Sequence, residues 1–161
     1  MQFKAGDYIV HPTHGVGHIV EIEKRQFSED GADLYYKVTV PHSTLWIPVE
    51  AEITQELRLS TPEEELDQYR EVLKSRANPL SQNHKSRYIE LTNRLEQGSF
   101  RVICEVVRDL TAWRQNKHLG SRETEILKKA RERLCEEWAT AAGISVHQAT
   151  KEIDKLLEVN D

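Results

Sequence analysis

The spacing of hydrophobic residues changes near residue 60, and this change divides the chain into two kinds of structure. Before it, apolar and polar residues alternate in short runs between turns, as in half-buried β-strands. After it, apolar residues recur every three or four positions, as along amphipathic helices. The sequence therefore predicts an α+β chain, with a small β-barrel over residues 1–58 and an all-helical domain of about five helices over residues 59–161.

Four short strands are expected in the first domain. Residues 16–22 alternate strictly in the second of them, and Gly31 suits a turn that needs positive φ. In the fourth strand, Leu45 and Ile47 face inward, which places Trp46 on the outer face. An outward tryptophan has two interpretations here: it contacts a partner, or a later helix covers it.

Helix ends in the second domain are indicated by capping residues. Thr61 is predicted to begin the first helix within a capping box, Ser99 to begin the third, and Ser145 to begin the last within a second capping box. Gly98 and Gly143 are predicted to follow helix ends, because glycine readily adopts the left-handed conformation there.

The histidine-rich stretch "HPTHGVGHIV" raises the question of a metal site or a phosphate loop. Zinc requires three or four convergent ligands, whereas the only cysteines, Cys104 and Cys135, fall in helical patterns far along the chain. A phosphate loop would lead into a helix, but this stretch leads into a strand. We interpret His11, His14 and His18 as turn and surface residues, and we expect no metal, no cofactor and no enzymatic activity.

The charge distribution permits a nucleic-acid partner despite the net charge of −5. Residues 1–80 contain 8 Lys and Arg against 14 Asp and Glu, whereas residues 82–134 contain 12 against 7. Such a basic helical segment is typical of phosphate contact or of a solvated helix face. The sequence has no apolar run near the ~20 residues that cross a bilayer and no signal pattern, so we expect a cytoplasmic protein with no membrane partner.

Specific motifs cover nearly the whole chain. "FKAGDYIVHPTHGVGHIVEIEKR" resembles the opening of the CarD/CdnL family of bacterial transcription regulators and the polymerase-interacting module of transcription-repair coupling factors. "SRYIELTNRLEQGS", "EVVRDL" and "LKKAR" resemble the helical half of CarD/CdnL. The resemblance implies a Tudor-like barrel that binds the RNA polymerase β subunit. It also implies a helical domain that touches promoter DNA near the upstream edge of the transcription bubble and modulates the open complex.

The resemblance carries over to individual residues. Arg25 and Trp46 match polymerase-contacting positions, although relatives have arginine at the position of Trp46. His84 stands where many members have a tryptophan that wedges into the minor groove, so a weaker or protonation-dependent wedge is expected. The remaining residues expected near DNA are Lys85, Arg87, Lys128, Lys129 and Arg131. We expect a monomer, and a protein–protein adaptor without significant DNA contact remains the alternative function.

Overall fold

The computed structural model describes residues 2–29 and 31–159, and the chain divides between Ser60 and Thr61 into two compact units. Within the described residues, the first unit contains a five-stranded antiparallel sheet and the second contains five α-helices. This arrangement confirms the predicted α+β fold class with its β domain first. The described sheet has five strands rather than the four expected, because the additional strand, Arg58–Leu59, has only two residues and is too short to show an alternating pattern. The division lies close to the expected boundary between residues 58 and 59.

The strands of the first unit are mostly hairpin neighbours. Their order across the sheet is β4-β3-β2-β1-β5, and a single 3₁₀ turn, Val49–Ala51, follows β4. The bounds are β1 Tyr8–His11, β2 Gly15–Ser28, β3 Gly31–Val40, β4 Ser43–Pro48 and β5 Arg58–Leu59. Gly31 has a φ of +111°, as the turn predicted before β3 requires, while Asp30 of that turn lies outside the described residues.

A bulge interrupts the strict alternation that the sequence predicts for β2. Ile19 pairs with Val38 and Glu21 pairs with Lys37, so Val20 is an extra residue in β2. Ile19 is fully buried and Val20 is exposed. Because of the inserted residue, Ile19 and Ile22 pack against the same core, which corrects the prediction that they lie on opposite faces.

A buried tyrosine–carboxylate pair anchors the start of the chain to the sheet unit. The hydroxyl of Tyr36 donates a hydrogen bond to Glu52, and the backbone nitrogen of Gln2 donates to both oxygens of Glu52 at 3.2 Å. Burial, followed by this hydrogen bond, raises the pKa of Tyr36 to about 12. The bond from Tyr36 in turn lowers the pKa of Glu52 below its ordinary value. The pair therefore favours a neutral phenol and an ionised carboxylate in the folded state.

We predict that Tyr36→Phe lowers the free energy of unfolding of the sheet unit by about 2 kcal/mol at pH 7, because a hydrogen bond to a charged group is lost. In the wild type, the contribution of Glu52 is present above its unfolded pKa, about 4.3, and is lost as pH falls through the lower folded pKa. The contribution of Tyr36 is present below its unfolded pKa of about 10 and is lost as pH rises through the folded pKa of about 12.

The measurement is denaturant unfolding of both proteins, followed at sheet amides by NMR. The difference in the free energy of unfolding between the wild type and Tyr36→Phe should be largest near neutral pH and should become smaller at acid and at alkaline pH. An equal difference at acid, neutral and alkaline pH would contradict the assignment.

The five helices enclose one hydrophobic core. Their bounds are α1 Leu66–Lys74, α2 His84–Glu96, α3 Phe100–Asn116, α4 Ser121–Ala142 and α5 Val146–Glu158. Trp138, Leu91, Leu110 and Ile153 are fully buried in this core. The free thiols of Cys104 and Cys135 are also buried, on helices as predicted. Among the helices of the described residues, none combines the length and apolar character needed to cross a membrane.

The helix caps agree with the sequence at most positions. Ser99 accepts a hydrogen bond from the backbone nitrogen of Val102, and Ser145 forms the predicted capping box with Gln148. Thr61 does not cap a helix, since a 3₁₀ turn (Glu63–Glu65) precedes α1. Its hydroxyl and backbone nitrogen instead donate to Glu137 on α4, at 2.7 and 2.9 Å. The predicted N-cap is therefore wrong, because α1 begins only at Leu66 and Thr61 bonds a buried carboxylate instead.

Candidate functional site

Arg25 and Trp46 lie together on the outer face of the sheet. Trp46 is on β4, two strands from β2, and its ring reaches across β3. The guanidinium carbon of Arg25 lies 4.9 Å from the centroid of the Trp46 ring and 5.4 Å from that of Phe27. We call this group, with Glu23 and Tyr35, the aromatic patch. The neighbours of Trp46 in the patch belong to the same sheet.

A carboxylate holds the aromatic patch in place. Trp46 Nε1 donates a hydrogen bond of 2.6 Å to Glu23 Oε1, and Arg25 Nε lies 3.7 Å from the same oxygen. Glu23 is partly buried, with a side chain 19% exposed, whereas that of Arg25 is 44% exposed. Glu23 therefore fixes the indole and the guanidinium relative to each other and leaves the guanidinium open to solvent.

The aromatic patch has the chemistry of a protein-binding surface. Arginine and tryptophan are the residues most enriched among those that dominate binding energy, and a preorganised guanidinium can pair bidentately with a carboxylate. Phe27 is 57% exposed and packs edge-on against Tyr35 with ring centroids 5.0 Å apart. Sequence reasoning missed Glu23 and Phe27, although both lie two positions from Arg25, the spacing of one strand face.

His84 and Lys85 form the first residues of α2. Asn83 caps this helix by accepting a hydrogen bond from the backbone nitrogen of Ser86 at 2.9 Å. The ring of His84 lies against Gly120, just before α4, where an added Cβ would be 3.0 Å from His84 Cε1. The positive ends of two helix dipoles thus lie near one another, which favours an anion at this place.

Two further cations surround this helix start, and sequence reasoning did not assign them to the site. Lys117 Nζ donates to Gln82 Oε1 at 2.7 Å, and the guanidinium carbon of Arg122 lies 5.3 Å from the centroid of the Tyr88 ring. Both side chains are exposed. We call His84, Lys85, Lys117 and Arg122 the basic corner. Only their position between helices, and no motif, distinguishes them from other surface cations.

Arg87 is placed inside the helical unit rather than on its surface. Its side chain is 6% exposed, and its Nε and Nη2 atoms each lie 2.8 Å from Glu123 Oε1. Its Nη1 donates to the carbonyl of Ser81 at 3.0 Å, and its guanidinium carbon lies 4.6 Å from the centroid of the Trp113 ring. The expected phosphate contact is corrected, because Glu123 is fully buried and requires this cation.

The Arg87–Glu123 pair also holds His84. Arg87 Nη2 and Glu123 Oε1 lie 3.2 and 3.1 Å from His84 Nδ1. A neutral Nδ1 accepts from the guanidinium, and a protonated Nδ1 donates to the carboxylate. The rest of the ring stays open, since the side chain is 62% exposed. His84 is therefore presented to solvent in a defined orientation, and Arg87 positions it.

The remaining predicted DNA-binding residues lie further along α4. Lys128 and Lys129 are exposed. Lys128 is about 10 Å along the helix axis from Ser121, at a rise of ~1.5 Å per residue. Arg131 Nη1 forms a 2.8 Å ion pair with Asp154 Oδ1 on α5, and its side chain is 26% exposed. In this stretch, the two lysines are therefore exposed, whereas the arginine is engaged in an ion pair.

The three histidines of the opening stretch have local partners. His11 Nδ1 accepts hydrogen bonds from the backbone nitrogens of Thr13 and His14, at 3.0 and 3.2 Å, and so closes the turn between β1 and β2. His18 stacks on Tyr8 with ring centroids 4.4 Å apart. Within residues 2–29 and 31–159, no three His, Cys, Asp or Glu side chains converge as metal ligands would.

Comparison with known proteins covers both units. The family described as CarD-like/TRCF RID domain matches residues 3–58, and the family described as CarD, C-terminal domain matches residues 68–154. The chain is also 29% identical over 147 residues to "Putative transcription factor YdeB" of Bacillus subtilis (strain 168), covering 91% of this chain and 96% of the relative. With both units matched in the same order, the chain belongs to the CarD/CdnL family of transcription factors.

Proposed function

We propose that this protein binds the RNA polymerase β subunit through the aromatic patch and promoter DNA through the helical unit. The DNA contact lies near the upstream edge of the transcription bubble and alters the stability of the open complex. The protein acts in the cytoplasm as a monomer, by binding alone, without catalysis or a cofactor. The residues assigned to polymerase are Arg25 and Trp46, and those assigned to DNA are His84, Lys85, Lys128 and Lys129.

The aromatic patch is the observation that carries the proposal. Its guanidinium is exposed, stacked on two aromatic rings and oriented by Glu23, so little conformational freedom remains to be lost on binding. The match of this unit to the CarD-like/TRCF RID domain supports polymerase as the partner. An acidic side chain on the polymerase is the expected counterpart of Arg25.

The basic corner supports the DNA half of the proposal. Lys85 is exposed at the positive end of α2, where a phosphate gains from both the lysine and the helix dipole. His84 presents a ring that can stack on a base at the edge of melted DNA. Phosphate contacts of this kind position a protein without reading sequence, so selectivity for the open state comes from shape and from His84.

Simultaneous binding of polymerase and melted DNA shifts the promoter equilibrium. A factor that binds the open complex more tightly than the closed complex increases the open population by the ratio of its two affinities. The test is the lifetime of open complexes formed by purified polymerase on promoter DNA, with and without the protein. A change in lifetime supports the proposal, whereas unchanged lifetimes at saturating protein would refute it.

We predict that His84→Trp lengthens the open-complex lifetime by about fivefold, because an indole offers a larger stacking surface, with base stacking contributing ~1–3 kcal/mol. His147→Trp is the matched control, since His147 is also an exposed histidine in the first turn of a helix, α5. The control should leave the lifetime unchanged. A shorter lifetime for His84→Trp would show that the imidazole itself is required.

A protein–protein adaptor is the second candidate, and one observation favours it. Arg87 and Arg131 are already paired with Glu123 and Asp154, which reduces the cations available for phosphate. Salt dependence separates the two functions, because each phosphate contact contributes a slope of about −0.9 in log K against log salt. We expect a slope near −3 on forked promoter DNA from three lysine contacts. An adaptor would show a slope near zero.

A further inference from the structure

A groove of about 520 Å³ lies in the helical unit between residues 76–82 and the C-terminal half of α3. Sites for small ligands have volumes of ~300–1,000 Å³, so the groove has room for one nucleotide-sized group. Its apolar lining includes Ala77, Pro79, Leu80 and Ala112, which carry no charge. Neither Arg25, Trp46 nor the proposed DNA lysines line it.

The groove carries a net positive charge. Arg76 and Lys117 line it, and both side chains are exposed. The one carboxylate of the lining, Asp109, is fully buried and accepts hydrogen bonds from Arg108 and Arg94 at 2.9 and 3.1 Å. Because two guanidiniums neutralise Asp109, the lining contains no carboxylate whose charge remains to be compensated by the rim cations. An anionic ligand is favoured over a cationic one.

Polar and aromatic groups in the lining match a heterocyclic base. Asn78, Gln82 and Asn116 line the groove with side-chain amides, which donate and accept hydrogen bonds as base edges do. Trp113 adds a half-buried indole, with the guanidinium carbon of Arg87 4.6 Å and Lys117 Nζ 4.5 Å from its ring centroid. A base therefore reaches the ring when the exposed Lys117 side chain turns from the indole to the phosphate. Aromatic side chains are the usual platforms for unpaired bases. The groove therefore combines an anion-binding rim with an aromatic and amide interior.

The groove is continuous with the basic corner. Gln82 lines the groove and lies two residues before His84 in the same segment, and Lys117 belongs to both. The carbonyl of Ser81, between groove and corner, accepts a hydrogen bond from Arg87 at 3.0 Å, which fixes the segment against the helices. A nucleic-acid strand whose backbone passes the basic corner can therefore direct its next unpaired base into the groove.

We propose that this groove holds one unpaired nucleotide, with the base against Trp113 and the phosphate at Arg76 and Lys117. The inference rests on the proposed function for its source, a melted DNA strand rather than a free nucleotide. It makes the helical unit a sensor of single-stranded DNA, in addition to its contacts with backbone phosphates. Ala112, on the α3 side, controls the space available.

The experiment compares three labelled probes by fluorescence anisotropy with the full chain. They are a five-nucleotide thymidine strand, a strand with the same phosphates but abasic sugars, and a blunt promoter duplex; free thymidine monophosphate is added as competitor. We expect the thymidine strand to bind about tenfold more tightly than the abasic strand. Free nucleotide should compete weakly, since it lacks the neighbouring phosphates; strong competition would overturn the assignment to a DNA strand.

Two variants locate the effect. Ala112→Trp fills the groove and should abolish the preference for bases, while Gln68→Trp, at an exposed position of α1 outside the lining, should retain it. If Ala112→Trp weakens the fold, measured by helical circular dichroism, Arg76→Gln serves instead. It should reduce the magnitude of the salt slope for the thymidine strand by about 0.7, because one phosphate contact with a single strand is lost.

Equal binding of the thymidine and abasic strands by the wild type, or no binding of either, would overturn the groove assignment. So would a base preference that survives Ala112→Trp in a folded protein, or a salt slope that Arg76→Gln leaves unchanged. If the protein binds duplex DNA but shows no preference for bases, the groove assignment is refuted and the proposed function is not. A base preference without any effect on promoter open complexes would leave the groove standing and refute the proposed function.

Discussion

Arg25→Glu is expected to abolish binding to the RNA polymerase β subunit while leaving the sheet unit folded. The substitution replaces an exposed guanidinium with a carboxylate on the aromatic patch and places it beside Glu23. Removing an arginine that dominates an interface costs ~2–4 kcal/mol, and charge reversal against an acidic partner adds repulsion. We therefore expect a loss of more than about 100-fold in affinity.

Lys24→Glu provides the matched control for this experiment. Lys24 is the preceding residue of β2, is exposed, and makes the same change in net charge. Its side chain points to the other face of the strand, because successive residues alternate. Pull-down of the β subunit should be retained by Lys24→Glu and lost by Arg25→Glu, with both proteins showing wild-type thermal unfolding. Retention of the β subunit by Arg25→Glu would refute the assignment of the aromatic patch.

Arg87→Met is expected to destabilise the helical unit by about 3–5 kcal/mol, the range for leaving one member of a buried ion pair without its partner. Glu123 is fully buried, and its Oε2 atom has no hydrogen-bond partner among the described residues. The carboxylate thus depends on the two guanidinium nitrogens at Oε1. Methionine keeps much of the volume of the arginine stem and removes the charge.

The same substitution at an exposed pair tests this explanation. Arg101 pairs with Glu105 within α3 at 3.3 Å, and its side chain is 63% exposed. Arg101→Met should cost less than about 1 kcal/mol, as for other solvent-exposed pairs. The double variant Arg87→Met with Glu123→Leu should recover most of the lost stability, because no charge is then left buried.

The measurement is urea unfolding followed by circular dichroism at helical wavelengths. Similar losses for Arg87→Met and Arg101→Met would contradict a special role for the buried pair. A secondary readout is DNA binding by a partially stabilised Arg87→Met protein at low temperature. Because Arg87 positions His84, the preference for melted over duplex DNA should fall even where the protein is folded.

Local patterns were sufficient for most of the fold. Ser99, Ser145 and Gly143 act within their own helix ends, so the chain around them contains all the information needed. Alternation placed Trp46 on the outer face of β4 for the same reason. The alternating pattern predicted the wrong faces around Val20, where β2 contains a bulge. A bulge depends on how β2 pairs with β3, and the sequence of one strand does not specify that register.

Charged residues show most clearly what a local sequence pattern does not predict. Arg87 and Lys85 are two residues apart, and the sequence predicts both as surface cations. In the structure, Lys85 is exposed, whereas Arg87 is buried against Glu123, which is 36 residues away in the chain. Thr61 was predicted to cap a helix, but its hydroxyl donates a hydrogen bond to Glu137, which is 76 residues away in the chain. Pairings over such separations are made by tertiary packing, and no local pattern reports them.

The sequence by itself determined the order of the two units, the identity of four of the five described strands and of the five described helices, and the outward position of Trp46. These follow from periods of two and 3.6 residues, which each segment carries within itself. The tertiary structure decided which cations remain available to a partner, how Glu23 joins Arg25 to Trp46 across β3, and that a groove opens beside His84. These depend on distances between segments remote in the chain, which are fixed only when the core has packed.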